Sequence, residues 1–154
     1  MTGRKNFDLI KKNLCELGYK VSCFETAAEA AQYMDSQIDK KTVGFGGSVT
    51  LEQMGLYELL EKHNQVSWHQ RMPEGKSSQE VRMEANAASV YISSVNAIAE
   101  TGEIINIDGM GNRVASIFYG HKKVYLVAGE NKIEKDYDAA LYRARNVAAP
   151  LNAK

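Results

Sequence analysis

Residues 42–56 read Thr42-Val43-Gly44-Phe45-Gly46-Gly47-Ser48-Val49-Thr50-Leu51-Glu52-Gln53-Met54-Gly55-Leu56. Val43 and Phe45 alternate with glycine as in a short strand. Gly46-Gly47-Ser48 then makes a tight turn, and Thr50 with Gln53 has the spacing of a capping box that opens a helix. A strand, a glycine turn and a helix start leave backbone N–H groups aimed outward at the positive end of a helix dipole. The glycines allow an anion close to the backbone, and Ser48 and Thr50 add hydroxyls. The bland alternative is a plain strand-to-helix connection that uses glycine for positive φ. The turn is not a Walker loop, because no Lys-Ser or Lys-Thr follows the glycines. It is not a dinucleotide fingerprint either, because the third glycine is missing.

Outward from this turn the pattern alternates. Phe7, Ile10, Leu14 and Leu17 share a helix face that Gly18 ends. Lys20–Phe24 reads as a short strand holding Cys23. Thr26 with Glu29 forms a capping box, followed by Ala28, Ala31, Met34 and Ile38 on one face. Gly55 interrupts the helical stretch that continues through Leu56, Leu59 and Leu60. Val66–Trp68 reads as a strand, Pro73 and Gly75 mark a loop, and Ser77 with Glu80 opens another helix. Val90–Ser93, Glu103–Ile107 and Lys123–Ala128 read as strands. Asp136 caps a last helix that should stop before Pro150. Strands separated by helices predict an α/β fold of three layers, a mainly parallel sheet with helices on both faces. Ligands of such sheets sit at the carboxyl ends of the strands.

Length and charge set outer bounds. The chain has 154 residues, suited to a single domain spanning 1–154. Nineteen basic residues balance nineteen acidic ones, which excludes a nucleic-acid partner recruited by a strong field. No apolar run approaches the roughly 20 residues of a membrane span. The start, MTGRKNFDLIKK, lacks the apolar core of a secretory signal, so a cytoplasmic location is expected. Cys15 and Cys23 form no metal motif and read as buried free thiols. His63, His69 and His121 are scattered, so no metal is expected.

Several loops carry chemistry. Ile107-Asp108-Gly109-Met110-Gly111-Asn112-Arg113 ends a strand with Asp, glycines, Asn and Arg. Arg113 offers a planar fork for a carboxylate or phosphate, and Asp108 can orient it or move a proton; the bland alternative is a structural Asp108–Arg113 pair that pins the loop. Ser94 and Asn96 follow one strand, and Asn131 and Lys132 follow another. Glu100, in Glu100-Thr101-Gly102, is a carboxylate nucleophile or a solvent-facing turn residue. On this reading Gly46, Gly47, Ser48 and Thr50 form one side of an anion pocket. Asn96, Asn112, Arg113, Asn131 and Lys132 form the others, and Asp108 and Glu100 are the candidate catalytic groups.

Five motifs occur in order: Gly46-Gly47-Ser48-x-Thr50-Leu51; Ser94-x-Asn96-Ala97-Ile98; Glu103 to Arg113; Val127-Ala128-Gly129-x-Asn131-Lys132; and Ala149-Pro150-x-Asn152-Ala153. Together they resemble the lactate-utilisation (LUD) domain family, in its stand-alone bacterial form. The resemblance implies the superfold of ribose-phosphate isomerase, glucosamine-phosphate deaminase and CoA transferases. In that superfold a glycine-rich turn holds phosphate or CoA-type groups. It also implies a role in lactate or organic-acid utilisation, with iron–sulfur proteins as partners. Long relatives continue into a cysteine-rich tail; this sequence runs to Lys154 without one, so no cluster of its own is expected. Glu100-Thr101-Gly102 matches only part of the Glu-Asn-Gly setting of a CoA-transferase nucleophile. One fold hosts many chemistries, so no substrate transfers by analogy. The expected ligand is a small organic acid or a phosphorylated metabolite. The same residues serve an enzyme acting on it, or a non-catalytic sensing or assembly module for an iron–sulfur oxidoreductase. No flavin, nicotinamide or metal motif is present, so no cofactor is assigned and a redox step would need a cofactor-bearing partner. A homodimer is a further expectation.

Overall fold

The computed structural model describes residues 7–152, with no account of the Asn152 side chain. The first six residues of the start read for a signal, Ala153 of the last motif and the ends of the expected 1–154 domain lie outside the described residues. Packing groups the chain into two compact units. One is built from residues up to Phe24, Val95–Gly109 and from Ala128 onward; the other from Glu25–Ser94 and Met110–Val127.

The second unit carries the parallel sheet. Its strands are β1 (Thr42–Phe45), β2 (Gln65–Ser67), β3 (Val90–Ser94) and β6 (Lys123–Val127), in the order β2-β1-β3-β6, all parallel. Alternation sends Val43, Phe45, Val90 and Ile92 to one face. There they meet Ala31, Met34 and Ile38 near α2 (Ala27–Gln37), Leu51 of α3 (Val49–Gln53), and Leu56 and Leu60 of α4 (Leu56–Leu60). Trp68 closes this core, stacked on Phe45 with ring centres 5.1 Å apart. Full burial of each such side chain contributes about 1.5–3 kcal/mol.

Gly44 and Tyr91 point to the opposite face, where α5 (Ser78–Ala87) packs. α6 (Asn112–Phe118) touches β3 and α5, and the Ser116 hydroxyl donates to Asn86 Oδ1 at 2.6 Å. Helices therefore cover both faces, as expected for the three-layer α/β class. β3 is buried along its whole length, its apolar Val90-Tyr91-Ile92 followed by the buried Ser93 and Ser94.

The helix signals hold where a side chain can satisfy an open N–H. Thr26 and Glu29 cap α2 reciprocally, as do Ser77 and Glu80 for α5. Gly55, at φ 61°, separates α3 from α4.

The first unit contains α1 (Phe7–Glu16), a small sheet and the C-terminal helix. α1 ends in a left-handed turn at Gly18, where Tyr19 N–H reaches Leu14 O and Gly18 N–H reaches Cys15 O. The sheet has the order β5-β4-β7, from β4 (Ala97–Ala99), β5 (Ile104–Ile105) and β7 (Ile133–Glu134). β4 pairs antiparallel with β5 and parallel with β7. Ala97 and Ala99 pack on Ala140 and Ala144 of the last helix.

Four expectations are corrected. Lys20–Phe24 forms no strand; only Val21 and Phe24 of this segment are partly buried. Both cysteines are exposed rather than buried. The strand expected over Glu103–Ile107 shrinks to Ile104–Ile105, because the Ile107 N–H goes to the Asn96 side-chain oxygen at 2.7 Å instead of a neighbouring strand. The last helix passes Pro150: α7 (Tyr137–Arg143) leads into a π-type turn at Ala144–Ala148 and then α8 (Ala149–Asn152). A π-type turn changes the bonding ladder just where proline lacks an N–H.

Candidate functional site

In the parallel sheet the chain leaves β1 to form β2 on one side, then crosses back to form β3 on the other. The order therefore reverses between β1 and β3, and ligands of such sheets sit beyond the carboxyl ends of the strands at that point. Gly46-Gly47-Ser48 lies at that point. The Gly46 N–H extends the ladder to Ile92 O at 2.9 Å.

The glycines are there for space, not for positive φ, which neither adopts. A Cβ on Gly46 would stand 2.9 Å from Ser93 Oγ, 3.0 Å from Tyr91 Oη and 3.1 Å from Arg113 Cγ. A Cβ on Gly47 would stand 3.2 Å from Cε1 and Nε2 of His69. Two polar layers thus close on the turn, one from β3 and α6, the other from the loop after β2.

Ser48, not Thr50, caps the helix. Ser48 has extended φ and ψ, and its Oγ accepts the Leu51 N–H at 3.2 Å. The expected Thr50–Gln53 box is absent because the helix begins directly after Ser48, leaving Thr50 inside it. The Ser48 N–H is already donated to Gln70 Oε1 at 3.1 Å. α3 has only five residues, so its dipole is weak.

Arg113 packs beside the turn. It is the second residue of α6, only 8% exposed, and its stem lies against Gly46. Asn112, partly buried, opens the same helix after Gly111. Ser93 is fully buried and donates to Ser94 O at 3.0 Å.

His69, Gln70 and Arg82 escape the sequence reading. His69 is partly buried; desolvation first, and the nearby Arg82 charge second, hold its pKa below the usual histidine value. His69 Nδ1 and Arg82 Nε are buried without a hydrogen-bond partner among the described residues. The one available signal was position: His69-Gln70 directly follows a predicted strand, at its carboxyl end.

The other predicted site residues belong to the first unit. Asn96 is 3% exposed, and its side-chain oxygen is spent on the Ile107 N–H. Arg143 links the two Asn-bearing loops: it donates to Asn96 O at 2.6 Å and to Asn131 O at 2.9 Å, beside Glu134 at 3.7 Å. Asn131 and Lys132 lie in a 3-10 turn, Asn131 exposed and Lys132 partly buried. Glu100 sits in the turn between β4 and β5; its N–H donates to Glu134 O at 2.8 Å and its carbonyl accepts from Asn13 at 2.6 Å. Asp108 is partly buried just after the Ile107 bond. The structure therefore brings Gly46, Gly47, Ser48, Thr50, Asn112 and Arg113 into one unit, and Asn96, Glu100, Asp108, Asn131 and Lys132 into the other.

Among the described residues no cluster of three His, Cys, Asp or Glu side chains could hold a metal ion. No described helix is long and apolar enough to cross a membrane. A family model described as "LUD domain" matches residues 7–154. No curated protein and no solved structure matches the chain.

Proposed function

The chain belongs to the LUD domain family, and from that premise we propose that it binds a small organic acid or a phosphorylated metabolite at the Gly46-Gly47-Ser48 turn. The observation that carries this reading is the buried Arg113, whose stem packs on Gly46 at the reversal point of the parallel sheet. An arginine whose stem packs at the carboxyl end of two parallel strands is suited to a carboxylate or phosphate. The Ser48 hydroxyl, free to donate while it accepts from Leu51, adds a second contact. The family's association with lactate utilisation favours a small carboxylate. A redox conversion of that carboxylate draws its cofactor from a partner protein.

A second reading is a non-catalytic sensing or assembly module of an iron–sulfur oxidoreductase. It is favoured by Phe118 and Tyr119 at the end of α6, which are 83% and 89% exposed. Adjacent exposed aromatics mark a surface for another protein.

The test is a thermal-shift panel of lactate, pyruvate, other hydroxy acids, sugar phosphates, CoA esters and inorganic phosphate. A ligand at 100 times its Kd adds about 2.7 kcal/mol, or roughly 5–10 °C in Tm. A shift lost in a Ser48→Ala, Arg113→Lys double variant supports the turn as the site. A panel without a single shift sinks the metabolite reading and favours the assembly module.

A further inference from the structure

His69 stands with one edge of its ring on the glycine turn and the other in the protein interior. The edge facing Gly47 carries Cε1 and Nε2. The interior nitrogen, Nδ1, is buried and has no partner among the described residues. Gln70, the next residue, fixes this loop to the turn by accepting the Ser48 N–H at 3.1 Å. A second orphan, Arg82 Nε, lies on α5, whose charge acts on the ring. Arg82 is three residues before Ala85, and the Ala85 carbonyl rests on Gly44 of β1. A crossover helix between parallel strands runs antiparallel to them, so one turn back from Ala85 leads towards the carboxyl end of the sheet.

We propose that His69 is a hydrogen-bond donor of the anion site at Gly46–Ser48, presenting its Nε2 edge to the turn, and that Arg82 of α5 is its positioning residue. The proposal rests on the reading of the turn as an anion site.

The chemistry follows from the two nitrogens. A proton on Nδ1 would be a buried N–H without an acceptor, which is costly. The single proton of the neutral ring therefore belongs on Nε2, facing Gly47. The Nδ1 lone pair then faces the interior, where the Arg82 charge acts on the ring. Burial and the Arg82 charge both oppose a second proton. Carboxylates on neighbouring elements that could favour one are engaged elsewhere. Glu84 of α5 is held by Lys76 and Ser67, and Glu52 of α3 by Arg71. The remaining charge near the turn, Arg113 of α6, is positive. His69 thus offers an N–H without a charge, while Arg113 supplies the charge, so the site accepts an anion without taking up a proton.

Sulfate and lactate keep their charge between pH 6 and pH 8 and serve as probes. Amide shifts of Gly46, Gly47 and Ser48 in an NMR titration locate the binding and yield Kd. The expected result is a Kd that changes less than about twofold across that range, and imidazole nitrogen shifts typical of the Nε2–H tautomer. His69→Ala should weaken binding about tenfold or more, and His69→Gln, which keeps a donor, should recover most of it. Arg82→Met should raise the titration midpoint of His69 and make the affinity pH-dependent, which a purely structural Arg82 would not do. Two results overturn the inference alone: binding at the turn that His69→Ala leaves unchanged, or wild-type affinity that rises steeply as His69 protonates. Absence of any amide shift with either probe removes the anion reading of the turn, and this inference with it.

Discussion

A Cβ on Gly44 would stand 2.2 Å from the carbonyl oxygen of Ala85. At Gly44, therefore, the backbone of helix α5 rests directly on β1. That contact fixes the height of α5 above the sheet, and with it the position of Arg82 relative to the glycine turn.

Gly44→Ala should for this reason be among the most damaging single-methyl changes in the molecule. The nearest atoms are backbone, which cannot swing aside as a side-chain tip can. The overpacking should cost about 3 kcal/mol or more. Thermal unfolding should show Tm lowered by roughly 6–12 °C. A variant that melts with the wild type would mean that α5 does not lie on β1 this closely.

Gly46→Ala should separate stability from binding. Its new methyl would meet side-chain atoms only, Ser93 Oγ, Tyr91 Oη and Arg113 Cγ, at 2.9–3.1 Å. These can give way, so the stability loss should stay near 1–2 kcal/mol. The group displaced is the proposed anion clamp, so affinity for a thermal-shift ligand should fall about tenfold, the equivalent of ~1.4 kcal/mol. Retained affinity with a large drop in Tm would show that Arg113 is scaffold at this position.

The boundary between what was legible and what was not follows the range of the interactions. Thr26-x-x-Glu29 and Ser77-x-x-Glu80 were readable because a capping box is closed within four residues. The strand at Thr42–Phe45 and the break at Gly55 were readable for the same local reason. The ordered motifs pointed to the LUD family, whose model matches residues 7–154. What failed depended on distant partners. Lys20–Phe24 alternates acceptably for a strand but joins neither sheet. β4, β5 and β7 have only two or three residues each, too few for any periodicity. Asn96 was grouped with ligand contacts, yet its oxygen is consumed by Ile107, eleven residues on. His69 and Arg82 lie on different elements, and only the crossover through α5 makes them neighbours.

Arg113→Lys should test the guanidinium rather than the charge. Lysine keeps the positive charge and a comparable stem on Gly46, but not the planar fork. Ligand affinity should fall at least about tenfold while Tm stays within a few degrees, since one to two kcal/mol is the expected scale for losing a charge-assisted bond. Arg113→Ala should lower both, because the buried stem is lost as well. Calorimetric binding by the lysine variant at wild-type strength would argue that the residue acts only as a point charge.

The last prediction concerns pH and lies at the opposite edge of the same unit. His63 follows α4 and places Nε2 at 2.8 Å from Asp35 and Nδ1 at 3.0 Å from Asp39, both beside the end of α2. A neutral ring has one N–H and can donate to only one of these carboxylates, whereas the imidazolium donates to both. The hydrogen bond to Asp35, and next that to Asp39, accordingly raise the His63 pKa above its ordinary 6.5. The sign follows from linkage: a group that binds its proton more tightly when folded stabilises fully below the unfolded pKa. That contribution is lost as pH rises through the higher folded value. The Tm difference between wild type and His63→Gln should therefore be largest below the ordinary value of 6.5 and shrink as pH rises above it. The effect should be small, since the pair is solvent-exposed, and reduced further by salt. A difference that grew with rising pH would reverse the assignment, marking His63 as a residue that stabilises when neutral.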